Sequence, residues 1–365
     1  MSVRISIVIP VYDMRTYLPE AIESALAQTL PADATEIVVV DDGSRDGSGD
    51  VAARYAPRVR VVRQENRGLP AARNAGIRAT TAPFLTFLDA DDRLLPEKLA
   101  AEIALFDAQP ELGVVYSGVR HVDDAGRPLP QRGFAREEGR VLGPLVLGNL
   151  IHPNAAMVRR SLVEQAGGFD ERLTSVEDWD LWLRIARLGA PWGRVDRVLS
   201  EYRVRHDGMH QNAQRMLDNR LRVLARVFAD PGLPAEVVAL RGEAYRNTYL
   251  AAACDWYRVG DDVRGADAFR AAASSHPASL SDPRLLKTAA AGLLPDGGRN
   301  DALVAAQWPR VSATLRRMLR QLFATPELRP AVARRRTSAW VAYGRLATRY
   351  ARKRLAARLT RTAAS

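Results

Sequence analysis

The chain reads as an α/β protein on a mostly parallel sheet covered by helices, followed by an α-helical C-terminal region. Three observations predict this. Over the first hundred residues, short apolar runs alternate with segments of helical period. Acidic clusters fall just after those runs, at the strand ends where open parallel sheets bind ligands. From about Gln211 the period is helical, and basic charge collects at the end of the chain.

Taken in order, Ile5 to Ile9 is an apolar run closed by Pro10 and predicts a buried strand. Thr16 to Gln28 sets Leu18, Ile22, Ala25 and Leu26 at helical spacing. Glu36 to Val40 predicts a second strand, closed by Asp41-Asp42-Gly43-Ser44, and Asp46 to Tyr55 a helix. Val59 to Val62 predicts a third strand, Asn66-Arg67-Gly68 a turn, and Leu69 to Ala79 a helix. Phe84 to Leu88 predicts a fourth strand, ending in Asp89-Ala90-Asp91-Asp92. Pro96 then opens a helix, where its missing N–H costs nothing. The pattern loosens between Gly113 and Tyr202. Gly113 to Tyr116 and Val195 to Leu199 predict strands, and Arg120 to Gly139 a turn-rich excursion or hairpin.

The helical region comprises Met216 to Val227, Glu236 to Val259, Arg264 to Ser274 and Leu285 to Leu294, with no repeat at a fixed period. The expected division is 1–210 for the α/β domain, 211–309 for a helical cap, and 310–365 for a basic tail. Of 365 residues, 53 are Lys or Arg and 42 Asp or Glu, a net +11. Fifteen of the basic residues and one acid, Glu327, lie from Arg310 onward, so the tail carries +14 and the remainder −3. Val311, Leu315, Leu319 and Leu322 share one helical face, and Trp340, Tyr343, Ala347 and Tyr350 form a second stripe opposed by arginines. Such a basic amphipathic tail predicts contact with an anionic membrane surface; a plain solvated tail is the alternative. Nucleic acid is not expected, because no aromatic-studded sheet or helix-turn-helix accompanies the charge. One cysteine, Cys254, excludes an intrachain disulfide and fits a reducing compartment. The N-terminus turns polar at Tyr12-Asp13 before a signal-peptide core forms, and no run of 18 apolar residues occurs. The expected location is therefore cytoplasmic, peripheral on the inner face of the cell membrane.

Two strand ends are rich in aspartate, and carboxylates crowded at one crevice repel and call for a cation. Asp89 and Asp91, one residue apart on an extended segment, suit one hard divalent ion bridging a diphosphate. Each cluster alone also suits a solvated turn. A dinucleotide-binding dehydrogenase is excluded, since Pro10-Val11-Tyr12-Asp13 has no glycine where G-x-G-x-x-G belongs. A sugar nucleotidyltransferase fails for the same reason. Further along, Thr174 or Ser175 followed three residues later by Glu177 or Asp178 reads as a capping box, and acids suit a helix N-terminus.

The series ISIVIPVYD, EIVVVDDGSRDGS, ENRGLPAARNAG and FLTFLDADD resembles family 2 glycosyltransferases of the inverting, GT-A fold type that build cell-surface polysaccharides. The resemblance covers about the first hundred residues, with order and spacing kept throughout. It implies a nucleotide-sugar donor, most commonly a uridine diphosphate sugar, and a glycan or lipid-linked acceptor. Pro10 and Tyr12 would border the base, and Asp41 would accept a hydrogen bond from its edge. Arg73 would approach the phosphates, with a helix-surface arginine the alternative. Asp89 would meet the ribose or the metal, and Asp91 would be the main ligand of Mn2+ or Mg2+. The acidic pair at 177–178 then matches the general base, Asp178, with Glu177 beside it. His206, after Tyr202-Arg203, would add a metal or phosphate contact. Trp179 and Trp182 would wall the acceptor pocket or belong to the core, and His152 would line the acceptor side or a plain loop. The intact acid set argues against a non-catalytic partner subunit of the same fold.

Overall fold

The computed structural model describes residues 3–129, 135–205, 212–278, 289–290, 293, 301–324 and 343. The chain divides into two units, with the changeover at Gly208/Met209; residues 130–132 group with the second.

In the first unit the order is β1 (Ile5–Val11), α1 (Leu18–Leu26), β2 (Thr35–Asp41), α2 (Ser48–Ala53), β3 (Arg60–Arg63), α3 (Leu69–Ala79), β4 (Phe84–Phe87), β5 (Arg93–Leu94) and α4 (Lys98–Ala108). Then come β6 (Val114–Val122), α5 (Leu142–Val146), β7 (Ala156–Arg159), α6 (Arg160–Gln165), α7 (Glu177–Arg187) and β8 (Trp192–Arg203). One eight-stranded sheet runs β3-β2-β1-β4-β7-β6-β8-β5. The β3-β2-β1-β4 side is parallel, and β7 is antiparallel to both β4 and β6.

β1 lies at the centre of the parallel side, and all seven of its residues are buried. That is why it reads as an unbroken apolar run and not as an alternation. Pro10 interrupts nothing. The Leu88 N–H donates to the carbonyl of Val8, so by the period of two Pro10 also faces β4. The β1–β4 ladder ends at Val8 and Phe87, two residues earlier. The chain runs β1 to β3 in one direction and returns to β4 on the other side of β1. The crevice therefore opens where those two strands part, beyond Pro10 and Leu88.

The second half is longer and less regular than the sequence predicts. The expected strand Gly113–Tyr116 is Val114–Val122, and Val195–Leu199 is the middle of Trp192–Arg203. These two strands pair in parallel with register shifts at Ser117, Gly118 and Val119. The irregularity hides their period. β5 and α5 carry too few residues for any period to show.

The second unit holds α8 (Ala213–Phe228), α9 (Ala235–Val238), α10 (Arg241–Val259), α11 (Asp262–Ser275) and a long helix over Asp301–Ala324; α8, α10, α11 and the long helix share one core. The expected single helix 236–259 is two. Gly260 ends α10 with φ 88, and Asp261 caps α11 by accepting from the Arg264 N–H at 2.9 Å. The expected helix 285–294 falls mostly outside the described residues.

The boundary expected at 310 lies inside the long helix, and the membrane-facing stripe begins on a face that points inward. Val311, Leu315 and Leu319 are buried beside Trp308, Trp256 and Phe269. Tyr343 also packs on this core, its hydroxyl 2.8 Å from Ser312 Oγ. This apolar face is buried within the protein. No described helix is long and apolar enough to cross a membrane.

Candidate active site

β2 ends at Asp41, which is almost fully buried. Its Oδ1 accepts the Ser44 N–H at 2.9 Å, so the turn after the strand is held by the carboxylate it displays. A Cβ on Gly49 would lie 2.0 Å from Asp41 Oδ2; glycine there lets α2 close on the aspartate. Asp42 is spent on structure. It accepts from Gln64 Nε2 at 2.6 Å, the Arg67 N–H at 2.9 Å and the Gly68 N–H at 2.8 Å, tying β2 to the turn before α3. Tyr12, just past β1, is 39% exposed and offers its ring at the crevice mouth.

β4 delivers Asp89 and Asp91, both half-buried. Burial, and next the charge of Asp89, push the Asp91 carboxyl above its ordinary range, while Arg205 at 3.3 Å opposes them. A carboxyl crowded by burial and by a second carboxylate is the oxygen donor that a hard divalent cation relieves, so the two residues fit such an ion. Asp92 belongs elsewhere. It is buried, and accepts from the Arg203 N–H at 2.8 Å and Asn154 Nδ2 at 2.9 Å. Among the described residues no three His, Cys, Asp or Glu side chains gather around one point. His206 lies outside the described residues.

Arg73 does not stand open to a ligand. It is 1% exposed, donating to Asp89 Oδ1 at 2.6 Å and to Glu177 Oε1 at 2.6 Å. Burial alone would lower its pKa; the charges of Asp89, Glu177 and Asp178 outweigh that and hold it above the ordinary arginine value. Its Nε is buried with no partner. Asn74, next on α3, pins the turn before α7, accepting from the Phe169 N–H at 2.8 Å and donating to the Phe169 carbonyl at 2.9 Å. The guanidinium lies 5.2 Å from the centre of the Phe169 ring. Two neighbouring residues of one helix thus bracket the two halves of the site.

The capping box is not what starts α7. The N-cap is Val176, at φ 57, and it makes no side-chain cap bond. A β-branched residue in the left-handed region is strained. Glu177 is buried on Arg73. Asp178 is half-buried and accepts from Asn149 Nδ2 at 2.7 Å and the Trp179 N–H at 2.7 Å. Burial pushes both acids upward, Arg73 opposes it, and both remain above the ordinary carboxylate range. Trp179 and Trp182 are core residues. Their indole N–H groups donate to the carbonyls of Leu145 at 2.7 Å and Ile151 at 3.1 Å, and so hold the segment that carries Asn149.

Sequence reasoning does not find Asn149 or Arg205. Neither has a spacing relation to the acid it touches, because each arrives from a loop or strand end distant along the chain. A hydrogen-bonding residue just before His152-Pro153-Asn154 is the only signal for Asn149.

Residues 6–166 match the profile of glycosyl transferase family 2. An uncharacterised glycosyltransferase of Rickettsia typhi is 31% identical over 248 residues, covering 66% of this chain and 76% of the relative. The chain spans 59% of a Rickettsia prowazekii relative and 31% of a Rickettsia felis one. TarS of S. aureus superposes with a TM-score of 0.59 at 17% identity, over 90% of this chain and 91% of that one. A Pyrobaculum calidifontis mannosyltransferase, solved with GDP-Man and Mn2+, superposes with a TM-score of 0.55 at 23% identity, over 89% and 88%. At these identities the two structures establish the shared GT-A fold. With the sequence match, the chain belongs to glycosyltransferase family 2.

Proposed function

We propose that this glycosyltransferase moves a sugar, with inversion, from a nucleoside-diphosphate sugar to a hydroxyl of a glycan or lipid-linked acceptor. The observation that carries the reading is Arg73, which ties the Asp89 end of the crevice to the Glu177-Asp178 end. Asp178 takes the acceptor hydroxyl proton as the new oxygen–carbon bond forms and the bond from the anomeric carbon to the diphosphate breaks. A sugar hydroxyl is a poor nucleophile without such a base. Glu177, held on Arg73, fixes the first turn of α7. Asp91 and Asp89 would hold Mn2+ or Mg2+, which when bound offsets the charge developing on the leaving diphosphate. Pro10 and Tyr12 border the base and Asp41 accepts from its edge. A TarS complex with UDP-GlcNAc shares the fold, with a TM-score of 0.51, as does the mannosyltransferase solved with GDP-Man, so uridine and guanosine diphosphate sugars are the first donors to try.

The test is a donor screen over uridine, guanosine and thymidine diphosphate sugars with Mn2+ or Mg2+, read as nucleoside diphosphate release with lipid-linked and free glycan acceptors. One donor should respond to acceptor and stop on chelation of the metal. Release from none of them, by folded protein that binds none, would overturn the reading.

We further infer that residues 325–365, with eleven Lys and Arg against Glu327, rest on an anionic bilayer, at about 1 kcal/mol for each basic residue near the surface. On this reading the enzyme works at the inner face of the membrane. Sedimentation with phosphatidylglycerol vesicles but not with duplex DNA, lost on deleting 325–365, is the expected result; equal DNA binding would sink it.

A further inference from the structure

We propose that His152 and Tyr202, backed by His121, form the platform on which a sugar ring of the acceptor lies. This rests on the reading of Asp178 as the base and names where its substrate sits.

Residues 149–155 run from one end of the site to the other. Asn149 Nδ2 donates to Asp178 Oδ2 at 2.7 Å, and the Ile151 carbonyl accepts from Trp182 Nε1 at 3.1 Å. At the far end Asn154 Nδ2 donates to Asp92 Oδ2 at 2.9 Å and to the Glu201 carbonyl at 3.2 Å. His152 lies along the chain between these two anchored asparagines, in extended backbone just before the Pro153–Ala155 turn.

Tyr202 arrives at the same place from β8. Its neighbours are the two residues engaged with that latch: Glu201, whose carbonyl holds Asn154, and Arg203, whose N–H donates to Asp92 Oδ1 at 2.8 Å. The rings of Tyr202 and His152 are 4.5 Å apart, tilted by 33°. His121 is the cross-strand partner of Tyr202 on β6, 5.5 Å from the Tyr202 ring and 5.7 Å from that of His152, at 89° to the latter.

The three rings are unlike the core aromatics of this unit. Trp182, Trp192, Phe87 and Phe106 are buried, whereas His121, His152 and Tyr202 are each only half-buried. Burial lowers the His152 pKa, although the charge of Asp89 opposes it, so the imidazole stays neutral. Burial, then the charges of Asp92, Asp91, Asp89 and Asp178, raise the Tyr202 phenol, which keeps its proton. His152 and Tyr202 stack on one another, so the cluster offers an uncharged outer π face with a polar rim. A pyranose is the complement of such a surface, with an apolar C–H face and hydroxyls round its edge. The base sets which sugar lies there. The ring that must come within hydrogen-bond reach of Asp178 is the acceptor, and Asn149 ties that carboxylate to the segment bearing His152.

The experiment uses the full chain with its donor and Mn2+, and compares wild type with His152→Ala, Tyr202→Ala and Tyr202→Phe. Nucleoside diphosphate release is measured with donor alone, where water is the acceptor, and across a concentration series of methyl glycosides and short oligosaccharides. Binding of the same glycans is followed by ligand-observed NMR, and thermal melts confirm folding. Loss of a stacking ring should raise the acceptor KM about tenfold in His152→Ala and Tyr202→Ala, with the donor KM and donor hydrolysis changed less than about twofold. Tyr202→Phe keeps the ring and should lose less. Folded alanine variants with unchanged glycan affinity would overturn the platform, as would a rise in donor KM in place of acceptor KM. If wild type binds glycans through these rings but turns over no donor, the reading as a transferase fails and the platform stands. If no glycan in the series binds, the platform falls.

Discussion

The two halves of the catalytic unit place their acids by different means. On the parallel side Asp41 and Asp89 stand at or just beyond the ends of buried strands, and the backbone alone delivers them to the crevice. On the other side Asp178 is positioned by contacts: Val176 in a left-handed turn, Asn149 from a loop, and Arg73 from α3 acting through Glu177. Regular backbone makes the donor side rigid and readable. The acceptor side depends on side chains that must all be present, and single substitutions there should act on chemistry more than on donor binding.

The sharpest division between the halves is Asp91→Asn against Asp178→Asn. Losing the base should lower kcat by about 10²–10⁴ and leave donor affinity within about threefold. Losing Asp91 should cost both, since the metal-dependent hold on the diphosphate goes with it. Titration calorimetry with the donor, beside diphosphate release, separates them. Asp178→Asn turning over normally would return Asp178 to a helix-terminus role.

Arg73 is where the halves join, and its removal should show as stability. Arg73→Met leaves the buried carboxylate of Glu177 and that of Asp89 without their partner, at a cost of about 3–5 kcal/mol. Arg73→Lys should recover only part of this, because a point charge does not span two acids as a planar fork does. Urea unfolding of the three proteins is the check. A Met variant as stable as wild type would mean that the two halves do not depend on this bracket.

Legibility in the sequence divides along the same line. Strands β1 to β4 and the acids after them are readable because a parallel sheet writes its strands as apolar runs and sets its ligand site in the residues just beyond them. The family resemblance adds the roles proposed for Asp41, Asp91 and Asp178. Arg73 falls on the right helix, but its burial is hidden, since nothing along the sequence tells that Glu177, over a hundred residues away, closes on it. The capping box over Thr174 to Asp178 misleads for a related reason. It relies on local spacing, while the turn is set by Phe169 pinned to Asn74 and Glu177 pinned to Arg73. The inward face of the helix over 301–324 is legible as a stripe; that α10 and α11 cover it is not.

The pH dependence tests the acceptor side when Asn149→Ala is set beside wild type, because the carboxyl of Asp91 is raised as well. As the proposed base, Asp178 would work only when ionised, so turnover should be lost as pH falls through its pKa. Burial has raised that pKa, which puts the acid limb above the range of an ordinary aspartate, about 3.9. The Asn149 hydrogen bond favours the ionised form and pulls the other way. Asn149→Ala should therefore move the acid limb upward, by about one pH unit or less, and lower kcat at neutral pH. A limb that stays in place would show that Asn149 does not touch the working carboxylate.

The smallest effect concerns strain, and it again contrasts the halves. Both carry a non-glycine residue at positive φ, Asp13 at 52° and Val176 at 57°. Aspartate tolerates this conformation, and Asp13 Oδ1 is used there to accept the Arg45 N–H at 2.7 Å. Valine gains nothing comparable, and an L-residue in this region costs about 1–2 kcal/mol. In a helix interior alanine is favoured over glycine by about 1 kcal/mol. At position 176 that order should invert. Val176→Gly sheds the strain and suits an N-cap, while Val176→Ala keeps the strain and loses the packing. Chemical denaturation should find the glycine variant more stable than the alanine variant by about 1 kcal/mol or less. The same glycine should loosen the start of α7 and lower kcat relative to Val176→Ala, with donor KM unchanged. If alanine proves the more stable, the left-handed turn is not held in solution, and Asp178 is aimed by Asn149 and the Glu177–Arg73 pair without it.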